Sequence, residues 1–192
     1  MERIEKTFEV TAPVRAAYNQ WTQFEYFPHF MHGVEEVVQL DDTHLHWRVS
    51  VAGKHKEWDA EIIDQIPDRM IAWRSIAGVP NAGQVSFEPL PRERTRIMLA
   101  MEYEPQSAVE KAGSAIGVLA RKIERTVQEF KQFLEARGRE TGGWRGEVRN
   151  GRLAGATSPG TDVVDASALA RYCPGGTGTA SIPERLGKSA LD

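Results

Sequence analysis

Thr95-Arg96-Ile97-Met98-Leu99-Ala100-Met101-Glu102-Tyr103, followed by Glu104-Pro105-Gln106-Ser107-Ala108-Val109-Glu110, is the stretch whose reading decides the fold. Thr95, Ile97, Leu99, Met101 and Tyr103 face one way, while Arg94, Arg96, Met98, Ala100 and Glu102 face the other. That period of two describes a strand with one buried and one mostly wet face. Ser107 and Glu110 then form a capping box, in which each side chain satisfies a free backbone donor at a helix start. Val109, Ala112, Ile116, Leu119, Ile123, Val127, Phe130 and Leu134 follow three or four apart. They make one apolar stripe along about 28 residues, roughly 40 Å of helix at about 1.5 Å per residue. Such a helix is long enough to cross a whole sheet, and its stripe needs the buried face of one.

Working back towards the amino terminus, alternating runs are separated by turn signals. Asp41-Asp42 divides the run ending at Leu40 from Leu45, Trp47, Val49 and Val51, and Gly53-Lys54 divides that from Trp58, Ala60 and Ile62. Pro67-Asp68 precedes Ile71-Ala72-Trp73-Arg74-Ser75, and Gly78-Val79-Pro80-Asn81 leads into Val85 and Phe87. Every connection is short, so neighbouring strands are antiparallel. At the start, Ile4, Phe8 and Val10 share a strand face that Lys6 interrupts. Pro13 suits the first turn of a helix carrying Val14, Ala17, Tyr18 and Trp21, and the aromatic stretch from Phe24 to Met31, broken by Pro28, reads as a second short helix ending in a loop. The expected class is α+β: a seven-stranded curved antiparallel sheet wrapped around a long C-terminal helix, with two short helices after strand 1.

Composition narrows the partners. The 24 basic and 27 acidic residues are mixed along the chain, giving a net charge of −3 with no broad basic face, so nucleic acid is not expected as a partner. A single cysteine, Cys173, excludes an internal disulfide. The charged residues 1–6 have no apolar stretch behind them and no run approaches the ~20 residues of a membrane-spanning helix. A cytoplasmic protein without stable membrane insertion is expected, peripheral contact with a membrane surface being left open. From Gly138 onward, 55 residues hold 11 of the 17 glycines and no Phe or Met. The expected division is therefore a domain over residues 1–137 and a Gly-rich tail over 138–192, largely disordered apart from a weak helical pattern near 162–171.

The order of elements, with Tyr26-Phe27-Pro28-His29-Phe30-Met31, Trp58-Asp59-Ala60-Glu61, Ile71-Ala72-Trp73-Arg74-Ser75 and Tyr103-Glu104-Pro105, resembles the polyketide cyclase/dehydrase branch of the START-like superfamily, whose helix-grip fold is shared with Bet v 1-like proteins. The resemblance covers roughly residues 1–148, including Glu140-Thr141-Gly142-Gly143-Trp144-Arg145-Gly146. It implies a cavity between the concave sheet face and the long helix, used across the superfamily for lipids, quinones, hormones and polyketides. It does not imply one chemistry.

Strand parity turns Trp47, Trp58, Trp73, Phe87, Ile97, Leu99, Met101 and Tyr103 inward, with Ser75 and Thr95 as scattered hydroxyls. Phe27 and Phe30 from the aromatic loop and Ile116 and Ala120 from the helix complete the expected ligand-binding set. Residue types alone fit a solid core equally well; the resemblance favours a pocket. Gly113 and Gly117 beside the stripe either leave room for a ligand or allow close helix-to-sheet approach, the simpler reading. Among the five histidines, His29, His32, His44, His46 and His55, only His44 and His46 share a predictable face, the outer one, so neither metal nor cofactor is expected. His29, His32, Tyr18 and Tyr103 are the ionisable groups nearest a cavity, Arg74 points outward, and no nucleophile–base pair is visible. Lys111, Arg121, Lys122 and Arg125 alternate with Glu110, Glu124 and Glu129 as a solvated face. The expectation is binding or carriage of a lipophilic small molecule, such as an isoprenoid quinone, lipid or polyketide-like compound. The alternatives are a polyketide aromatase/cyclase or dehydratase, and a protein-interaction module with a solid core.

Overall fold

Alternation in the sequence becomes a strongly curved sheet in the computed structural model, which describes residues 2–51, 53–103 and 114–154. The side chains of Glu2, Tyr103, Ser114, Ala115, Ile116, Val118 and Leu119 fall outside this description. β1 (Glu2–Val10) leads into α1 (Val14–Trp21) and a 3-10 helix (Phe24–His29). Six strands follow: β2 (Val34–Gln39), β3 (His44–Val51), β4 (Lys54–Ile66), β5 (Met70–Gly78), β6 (Asn81–Leu90) and β7 (Arg94–Tyr103). Then come α2 (Ser114–Arg137) and the two-residue strands β8 (Val148–Arg149) and β9 (Arg152–Leu153). The spatial order is β1-β7-β6-β5-β4-β3-β2, antiparallel throughout, so the first strand closes onto the seventh. Seven strands make the main sheet as expected, and β8 and β9 add a small hairpin at its margin. Among the described residues, no helix is long and apolar enough to cross a membrane.

The concave face holds the core, and α2 lies against it. Ile123, Val127, Phe130 and Leu134 are all buried, as the helical stripe requires. Phe130 meets Trp21 of α1 with ring centroids 4.8 Å apart and Phe8 of β1 at 6.5 Å. Lys6, the misfit in the first strand, reaches α2 instead of the core, pairing with Glu124 at 3.1 Å. The helix is further fastened by the Thr11 and His32 backbone N–H groups, which donate to Glu135 Oε1 (2.6 Å) and Glu129 Oε2 (2.7 Å). The capping box at Ser107 and Glu110, Gly113 and the helical pattern near 162–171 lie outside the described residues. So does the tail from residue 155.

Domain extent departs from the expected boundary at 137. Residues 138–154 fold back over the domain as a strap. Its backbone N–H groups at Thr141 and Trp144 donate to Gln20 Oε1 (2.9 Å) on α1 and to Thr22 Oγ1 (2.9 Å) at its C-terminal cap. Val148 is fully buried and Trp144 packs on the core. β8 pairs with Asp64 and Gln65 of β4, beyond Glu61, the last β4 residue paired with β3. Glycine content suggested a segment unable to offset its ordering entropy, but the Gln20 and Thr22 side chains accept two of its backbone N–H groups and Trp144 and Val148 anchor it.

Candidate functional site

A cavity of about 160 Å³ lies between the sheet and α2, bordered by the 3-10 helix. Its wall is almost wholly apolar and is drawn from nearly every element. Leu45, Trp47, Val49 and Val51 come from β3, Trp58 and Ile62 from β4, Ile71 and Trp73 from β5, and Leu99 and Met101 from β7. Trp21, Phe24, Phe27, Met31 and Val34 close one side, and Lys122, Ile123 and Thr126 of α2 close another.

Cross-strand register builds the aromatic part. Trp47 faces Trp58 across β3 and β4, and their rings stack at 5.8 Å with only 4° between planes. Trp73 lies across Gly83, its partner on β6, where an added Cβ would fall 2.3 Å from the indole. Glycine at 83 thus lets a large ring lie flat on the sheet rather than stand up into the cavity.

Of the expected residues, Phe27, Trp47, Trp58, Trp73, Leu99 and the inward-facing Met101 are on this wall. Phe30, Ser75, Phe87, Thr95, Ile97 and Ala120 are not on it. Phe30 instead stacks on Phe133 at 4.4 Å. Ser75 Oγ accepts the Asn81 N–H at 2.9 Å and closes the β5–β6 turn. Phe87 packs edge-on against Tyr18 and Trp21, Ile97 is fully buried in the core, and Thr95 donates its hydroxyl to Ala12 O at 2.8 Å. Ala120 is half-buried against the core. Parity identifies the inner face of a strand, but not which inner positions stay uncovered once α1 and α2 dock. The side chains of Tyr103 and Ile116 lie outside the described residues.

Lys122 corrects the reading of the helix as simply solvated on its charged side. It is half-buried on the cavity wall, donating to the carbonyl of Ser50 and, at 3.5 Å, to that of Gly33. Burial pulls its ammonium pKa below the ordinary lysine value, with Glu35 acting in the opposite direction. Gly33, at φ +85°, makes the seat: an added Cβ would lie 2.6 Å from the lysine Nζ. The available sequence signal was position, because Lys122 and Thr126 are four apart beside the apolar stripe. Among the described residues Gly117 mediates no close approach, since an added Cβ there meets only Arg121 at 3.8 Å.

Other ionisable groups are spent elsewhere. His29 stacks on Tyr26, His55 meets Glu35 at 2.9 Å, and His46 is buried with Nδ1 2.6 Å from Asp59. Arg74 points outward and pairs with Glu61 at 2.8 Å. The Tyr18 hydroxyl accepts from Gln65 Nε2 at 3.0 Å, and burial raises its pKa. No group of three His, Cys, Asp or Glu residues able to hold a metal occurs among the described residues.

Residues 10–132 match the family described as polyketide cyclase / dehydrase and lipid transport. An uncharacterized 17.2 kDa protein from the melC2-rnhH intergenic region of Streptomyces lincolnensis is 50% identical over 149 residues, 77% of this chain and 99% of that protein. The fold is similar to that of the Zhui aromatase/cyclase from Streptomyces sp. R1128, with a TM-score of 0.60 and 20% identity over 74% of this chain and 99% of that one. It is also similar to a START superfamily protein from Mycobacterium smegmatis, with a TM-score of 0.58 and 17% identity over 70% and 95% of the two chains.

Proposed function

The chain belongs to the polyketide cyclase / dehydrase and lipid transport family, and from that premise we propose that it binds a compact, mainly apolar small molecule between its sheet and α2, as a carrier or receptor. The observation carrying this reading is the apolar cavity of about 160 Å³ walled by Trp21, Trp47, Trp58 and Trp73. Burial of an apolar body there contributes about 25 cal/mol per Å² removed from water. A cavity of roughly 150 Å³ accommodates a benzene-sized guest, whereas drug-sized ligands occupy about 300–1,000 Å³. The size therefore favours one or two rings, such as a polyketide-like aromatic or a quinone head group, over a long acyl or isoprenoid chain.

Native mass spectrometry of the purified full chain tests the proposal. A bound apolar compound, or saturable quenching of tryptophan fluorescence by small aromatics, is expected. Protein that stays empty and shows no saturable quenching would exclude it. A cyclase reading has one observation in its favour, an ionisable Lys122 on the wall, where an ammonium could stabilise an enolate. That reading requires turnover of a poly-β-ketone substrate that is lost on Lys122→Met.

A further inference from the structure

We infer that the molecule held in the cavity carries one anionic oxygen, a carboxylate or a phenolate, which Lys122 receives with support from Trp58 and Thr126. The inference rests on the binding function proposed above and names the chemical class of the ligand.

Three observations lead to it. Lys122 is half-buried on an almost wholly apolar wall, yet none of its described hydrogen bonds or ion pairs is to a carboxylate. An ammonium has three donors. Two are directed at the Gly33 and Ser50 carbonyls, which hold the side chain in place without neutralising it. Partial desolvation of a cation without a contacting counter-ion is unfavourable, and a ligand anion would relieve that cost. Secondly, the Trp58 indole N–H is buried and has no acceptor among the described residues, although such groups are normally paired. The stacked Trp47 fixes the indole plane. Thirdly, Thr126, whose hydroxyl can also donate, borders the same cavity. The polar groups carried by residues of the wall are thus an ammonium, a buried indole N–H and a hydroxyl. This set recognises an oxygen acceptor, best a charged one, on an apolar ring.

The seat for the lysine is built in as well. With φ at +85° and an added Cβ only 2.6 Å from Nζ, Gly33 leaves space that any other residue would fill. A lysine required only for solubility would have no need of it.

Matched probes separate charge recognition from cavity binding. Benzoate and 2-naphthoate, each paired with its uncharged carboxamide, are titrated into the full chain at low salt and followed by tryptophan fluorescence and calorimetry. In the wild-type protein each acid is expected to bind about tenfold more tightly than its amide, as a charge-assisted hydrogen bond in a desolvated site allows. Lys122→Met should bring that ratio close to one, and Trp58→Phe, which keeps an aromatic ring and removes the N–H, should lower affinity for the acids several-fold more than for the amides. Amides binding as tightly as acids to the wild-type protein would overturn the inference while leaving the cavity reading intact. So would a preference that survives Lys122→Met. Absence of binding by all four probes would overturn both. The wild-type comparison decides the matter even if a variant fails to fold.

Discussion

Enlarging Val49 inwards tests whether the space beneath α2 is an open cavity. Val49 is buried on β3, paired with Val34 on one side and Lys56 on the other, and its side chain borders the cavity. At about 24 cal/mol per Å³, a cavity of 160 Å³ withholds up to about 4 kcal/mol of packing. Val49→Leu adds one methylene, worth about 0.8 kcal/mol if it fills empty space, and Val49→Phe should gain about 2 kcal/mol. Both stay below the ceiling. For a domain of this size each kcal/mol shifts Tm by about 2–4 °C, so the phenylalanine variant should melt about 4–8 °C higher. The same ring occupies the ligand's volume, and affinity for 2-naphthoate should fall more than about tenfold. Urea denaturation and fluorescence titration measure the two effects on one preparation. The reasoning would be refuted by a loss of about 1–3 kcal/mol, the signature of overpacking, together with undiminished binding.

Other outcomes follow from individual contacts. Arg145 grips Asp68 through two bonds of 2.9 and 2.6 Å, donates to Asn19 Oδ1 and lies over the Tyr18 ring. Arg145→Lys forfeits the fork, and because the ion pair is about one-third exposed the loss should be only about 1 kcal/mol, measured by urea midpoint. Gly117→Ala should raise stability by about 1 kcal/mol, since helix propensity improves and an added methyl meets only Arg121 among the described residues; a lower Tm would show that space to be occupied. Alkaline titration should reveal two opposed trends. Burial holds the Lys122 pKa below 10.5, so the unfolded chain binds that proton more tightly and stability rises as pH climbs from the folded value to 10.5. Burial raises the Tyr18 pKa above 10.0, so its contribution is complete below that value and is lost as pH rises through the folded pKa. Urea midpoints from about pH 8 to about 11 should lose the rise in Lys122→Met and the fall in Tyr18→Phe. Because the lysine's charged form is disfavoured by folding, Lys122→Met should leave Tm at neutral pH unchanged or higher, which differential scanning calorimetry would check.

The fold was legible because its instructions are local. Periods of two from Leu45 to Tyr103 and of three to four from Ile123 to Leu134 state which face of each element avoids water, and short turns leave antiparallel pairing as the solution. Register then followed, placing Trp47 on Trp58 and Trp73 on Gly83. Composition was less informative about residues 138–154. A strap held by Gln20 of α1 and by Thr22 at its cap is stabilised by partners more than a hundred residues away, which no window of sequence displays.

Local pattern thus determined the strands, the long helix, the inward set of side chains and, through the resemblance, the family. Tertiary structure alone decided which inward residues border empty space and which are sealed: Phe87 and Ile97 are covered, Trp58 and Leu99 are not. It also turned Lys122 from an ordinary charge beside an apolar stripe into a half-buried cation facing a cavity. Parity fixes direction for each residue separately, whereas a cavity is the volume that several elements together fail to fill.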